Sequence, residues 1–147
     1  MTVSWTDVVS AFSSTVTAVG VCLAWRSLRA TRDIARVQFE DSLSREYREL
    51  MSSLPIGALL GQTLDEVEAA DHLGRFYRYL DLCNEQAFLF QRKRVSESTW
   101  NEWLEGIRTN LQMPAFSAAR NAISVAQPDR FQELRSCVPP FRPKVAE

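Results

Sequence analysis

The sequence predicts an all-α fold: one N-terminal transmembrane helix continuing as a long cytoplasmic helix, plus a small cytoplasmic helical bundle, assembled as a homo-oligomer. Three observations carry this expectation. The 147 residues hold only five glycines and no sustained strand-like alternation. Between Trp5 and Trp25 the one charged residue is Asp7, and the next charge is Arg26. No proline interrupts the chain before Pro55, so a single helix can run to about Ser53. A chain of this length suits one modest domain plus an anchor. The expected divisions are 1–53 for the transmembrane helix (about 5–25) with its extension, 54–62 for a linker, 63–137 for the bundle and 138–147 for an extended tail.

From Trp5 to Trp25 the helix would rise roughly 30 Å, the thickness of a hydrocarbon core. The two tryptophans stand where interfacial tryptophans sit. Arg26, Arg29, Arg32 and Arg36 follow, whereas residues 1–5 carry no Lys or Arg. The positive-inside rule then puts the N-terminus outside a bacterial inner membrane and the bundle in the cytoplasm. Trp5, Trp25 and these four arginines are the expected lipid-headgroup contacts. A cleavable signal peptide is disfavoured, because the basic residues follow the apolar run.

Ser10, Ser13, Ser14, Thr15 and Thr17 make this segment weakly apolar for a lone span. Their placement is ordered. At 100° per residue, Thr6, Ser10, Ser13, Thr17, Gly20 and Ala24 share a narrow arc opposite Trp5, Val8, Phe12, Val16, Val19 and Leu23. Thr31, Ala35, Gln38 and Ser42 continue that arc. A small-residue stripe lets backbones approach and hydroxyls bond across a contact, or it can line water. Both uses stay open, and each requires self-association, since one chain offers one such helix. The competing reading is the exposed side of a soluble bundle helix. It leaves Trp5, Phe12 and Trp25 uncovered and the near-absence of charge unexplained.

Beyond the first helix, Pro55 and Gly57 in LPIGALLG mark a break. Thr63 and Glu66 read as a capping box opening a helix to about Arg94. Its stripe of Leu73, Phe76, Leu80, Cys83, Ala87 and Phe90, widened by Tyr79, Leu82 and Leu89, marks a central helix. Ser96 opens the next, with Trp100, Trp103, Leu104, Ile107 and Leu111 on one side and Met113-Pro114 at its end. Phe116, Ala119, Ile123 and Ala126 predict a further helix closed by Pro128, and Asp129–Cys137 a last short one. About four helices thus hang on the long first one.

Composition and motifs name no chemistry. The formal charge of −1 argues against a globally basic nucleic-acid binder, so nucleic acid is not an expected partner. Cys22, Cys83 and Cys137 are odd in number and widely spaced, which suits neither a disulfide framework nor a zinc site. His72 is the only histidine and lacks a nucleophile context. Asp65, Glu66, Glu68 and Asp71 mark the first turns of a helix, where negative charge suits the macrodipole. Arg75, Arg78, Asp81 and Glu85 read as a salt-linked ladder, and Arg92, Lys93 and Arg94 as a basic helix end. No enzyme activity, metal or cofactor is expected.

The run from Phe76 to Phe116, with its YLDLCNE helix, basic turn and the positions Trp100, Trp103, Leu104, Gly106, Ile107, Leu111, Pro114 and Phe116, resembles a widespread family of small bacterial membrane-anchored proteins. In layout only, the chain is also similar to the pore-forming membrane accessory protein of type VI-B CRISPR systems, although the compact Arg–His ribonuclease motif is missing. The resemblance implies membrane anchoring and a helical fold. The expectation is an oligomer that forms or gates a pore in antiviral defence, with itself, lipid and a defence protein as partners. The alternative is a membrane-tethered adaptor whose bundle binds a partner protein.

Overall fold

A computed structural model describes the backbone of residues 5–138 and the side chains from Gly20 to Val138. The described chain is all-helical: α1 Trp5–Ser53, α2 Ile56–Leu59, α3 Glu66–Gln91, α4 Glu97–Gln112, α5 Pro114–Ala126 and α6 Gln132–Cys137. Its contacts divide it into two units, residues 1–39 and 40–147. The first is the greater part of α1. The tail beyond Val138 lies outside the described residues.

In the second unit the central helix is α3, which packs on α4, α5 and α6. Its expected stripe is buried: Phe76, Tyr79, Leu80, Leu82, Cys83, Ala87 and Leu89 all enter the core. Leu73, exposed at the N-terminal end, and Phe90, half-buried against the core, are the exceptions. Phe116 of α5 meets Phe76 and Tyr79 edge-on, each at 5.1 Å between centroids, and Phe90 stacks flat on Trp100 at 4.9 Å. Such pairs add about 0.5–1.5 kcal/mol beyond the area they bury. The core also draws on Leu43 and Leu50 of α1, and on Leu54 and Ala58 of the α1–α3 connection. That connection is therefore packed structure.

A polar knot lies within this apolar mass. The Asn110 amide donates to the hydroxyls of Tyr47 and Tyr79, both at 3.1 Å, joining α4 to α1 and α3. Glu40 makes a second cross-link. One carboxylate oxygen accepts from the Ser96 backbone N–H and the other from Thr99 Oγ1, each at 2.8 Å, so an α1 side chain caps the start of α4.

Several helix ends depart from the expectation. The cap of α3 is Asp65, which accepts from the Glu68 N–H at 2.8 Å. The Thr63–Glu66 capping box does not form, because the helix opens two residues later on Asp65, a better N-cap residue than Thr. The helix stops at Gln91 rather than Arg94, in a left-handed turn at Lys93 (φ 57). There the Lys93 N–H bonds Phe90 O and the Arg94 N–H bonds Leu89 O, a Schellman closure. The last helix starts at Gln132, after a left-handed Phe131 whose ring is buried against Tyr77. Arg75 does not serve a salt ladder; it donates to the Ser53 carbonyl at 2.6 Å and meets His72 Nδ1 at 2.9 Å. It thus satisfies an orphan carbonyl at the end of α1. The Ser96 and Met113-Pro114 boundaries stand as expected.

Two predictions follow from these turns and from the core. Lys93 carries a Cβ where glycine is preferred, so Lys93→Gly should stabilise by about 1 kcal/mol. Gly61→Ala, at φ +77 with open space around the added carbon, should cost about as much. Urea titrations of both variants check the opposite signs.

Burial pushes the Cys83 thiol from 9.0 up to about 12, and burial likewise lifts the Tyr79 phenol well above 10.0. The unfolded thiol releases its proton at lower pH than the folded one. Stability is therefore full below pH 9 and declines as pH rises from 9.0 towards about 12. Denaturation midpoints taken at about pH 8 and about pH 10.5 should fall between the two, with a shallower fall in Cys83→Ala.

Candidate functional site: the uncovered first helix

From Gly20 to Phe39 every residue of α1 is exposed, large apolar side chains included. Val21, Leu23 and Leu28 are 63, 63 and 61 % accessible, and Trp25, Ile34 and Val37 are similarly open. Helical stability in water comes mainly from packing of an apolar face, so a stretch like this requires a cover.

Helix geometry orders these residues. Gly20, Ala24, Thr31, Ala35 and Gln38 keep one stripe. Val21, Leu28 and Phe39 border it on one flank, and Leu23, Ile34 and Val37 on the other. Arg26, Arg29 and Arg36 fall on the far side. The result is a seam of small residues between two rows of bulky ones, with Arg26, Arg29 and Arg36 facing away and Arg32 beside the Val21 and Phe39 row. A neighbouring helix can approach closely at such a seam and be gripped on both sides. At Gly20 a Cβ would meet nothing within 4 Å, so no contact inside the chain requires glycine there.

The remaining expected residues have plain placements. Thr31 Oγ1 donates to its own helix at Ser27 O, 2.9 Å away, which leaves its methyl as the outward group. The Arg29 guanidinium sits over the Trp25 ring, 5.3 Å from its centroid. Arg26 and Arg32 are exposed beside them. Thr6, Ser10, Ser13 and Thr17, with Trp5, lie outside the residues whose side chains are described, though their backbone is helical.

Among the described residues no helix is long and apolar enough to cross a membrane. Most of the expected span, residues 5–19, lies outside the residues whose side chains are described. The flanking bulky rows follow the same helical periodicity as the small stripe. Comparison with protein-family models, curated proteins and solved structures gives no match, and nothing in it links the chain to a family.

The seam makes a direct prediction. On the reading that α1 pairs with copies of itself, Val21→Glu with Leu28→Glu should shift the mass measured by light scattering towards that of one chain. They should leave the melting of the bundle unchanged, because neither side chain belongs to the core.

Proposed function

We propose that this protein is a homo-oligomer of a bacterial inner membrane, in which copies of α1 associate through their small-residue seams and form or gate a pore. The uncovered apolar stretch of α1 carries the reading. Its bulky residues need a non-aqueous cover, and its seam offers the close approach that a second copy would use. One helix of this polarity is a poor span by itself. Several copies that turn Ser10, Ser13, Thr17 and Gly20 inward remove that polarity from lipid, leaving Val8, Phe12, Val16 and Leu23 outside. Arg26, Arg29 and Arg36 then lie where anionic headgroups begin, each worth about 1 kcal/mol. A role in antiviral defence rests on the layout resemblance alone.

A membrane-tethered adaptor is the second reading. An apolar groove of about 360 Å³ between α3 and α5, walled by Leu73, Phe76 and Ala119, favours it as a seat for a partner segment. Dye release from liposomes separates the two. A pore releases dye, and Ser13→Leu or Thr17→Leu alters the release. Oligomers that insert and release nothing leave the adaptor, and a protein that stays out of the lipid removes both.

A further inference from the structure

A second site lies in the bundle, independent of what covers α1. Side chains of α1, α3 and α4 enclose an open cleft of about 430 Å³, within the range of small-molecule sites. Gln86 of α3 lines it and is only 2 % accessible. Its carboxamide makes no hydrogen bond to any described residue. No side-chain oxygen or nitrogen among the described residues is fully enclosed without a partner, so the remaining surface of this amide opens on the cleft. A buried amide brings an acceptor and two donors, and leaving them unmet is costly.

The walls narrow the chemistry. Asp41 and Glu102 bring two carboxylates, while Glu40 is already held by Ser96 and Thr99. Arg48 is the one cation lining the cleft, so the site is negative on balance. Trp103 and Tyr47 supply half-buried aromatic surface. Gly106 stands inside α4, where glycine is less favourable than alanine. Nothing lies within 4 Å of the position a Cβ would take there, so packing does not require it. Gly106 lines the cleft, so a bulky side chain there would enter it.

We infer that this cleft binds an alkylguanidinium group. A guanidinium is planar and stacks on an aromatic face, and its forked N–H donors match carboxylates. It would pair with Asp41 and Glu102, lie against Trp103 and give one N–H to Gln86 Oε1. A free small molecule and an arginine side chain of a partner share this chemistry.

Calorimetry on the full chain tests it with two probes: agmatine, and a short peptide with one arginine beside its citrulline counterpart. Saturable binding of agmatine assigns the cleft to free ligands. Binding of the arginine peptide alone assigns it to a partner's side chain. In either case Glu102→Gln and Gln86→Leu should weaken binding at least ~10-fold. Gly106→Leu should abolish it while the helical spectrum is retained. The inference is overturned if neither probe binds at about 10 mM. Equal binding by the citrulline peptide, or by Gly106→Leu, overturns it too.

Discussion

The Asn110 carboxamide, buried in α4, is the interaction on which the bundle's arrangement depends. By donating to Tyr47 and Tyr79 it fixes the register of α1, α3 and α4 together. Apolar packing alone is tolerant of sliding, because one aliphatic contact replaces another at small cost. A buried amide has no such freedom, since a shift leaves donors unmet at about 1–3 kcal/mol each. Glu40 repeats the constraint two turns earlier by capping α4. The residues 40–53 of α1 are thereby committed to the bundle, and the same register builds the cleft floored by Gln86.

The rest of α1 follows from what the bundle does not use. Residues 20–39 continue the helix with no core of their own, yet they carry Val21, Leu23, Leu28, Ile34 and Val37 in the open. The bulky rows flank a small seam, and Arg26, Arg29 and Arg36 lie on the opposite side of the helix; association with a like helix is the proposed use of that face. Self-association, membrane insertion and pore formation all belong to the proposal.

Legibility in the sequence tracked locality. The helical class, the end of α1 near Ser53, the Ser96 cap and the Met113-Pro114 break all depend on neighbours a few residues apart, and all could be read. The α3 cap went to Asp65 because two good acceptors stood close together, and sequence alone does not rank them. Gln86 and Asn110 were hidden for another reason. A polar residue within an apolar helix reads as solvated surface unless its partners, Tyr47 and Tyr79 for Asn110, are known to be near in space. Arg75 shows the same gap: its partner, the Ser53 carbonyl, is 22 residues away. The small stripe was visible at once, but the rows beside it gained meaning only from their exposure.

The central claim is that α1 is covered by copies of itself. The molar mass of the purified full chain in mild detergent, from size-exclusion chromatography with light scattering, tests it most directly. A discrete oligomer of the 16.7 kDa chain is the predicted result. A monomer at every protein concentration would contradict it.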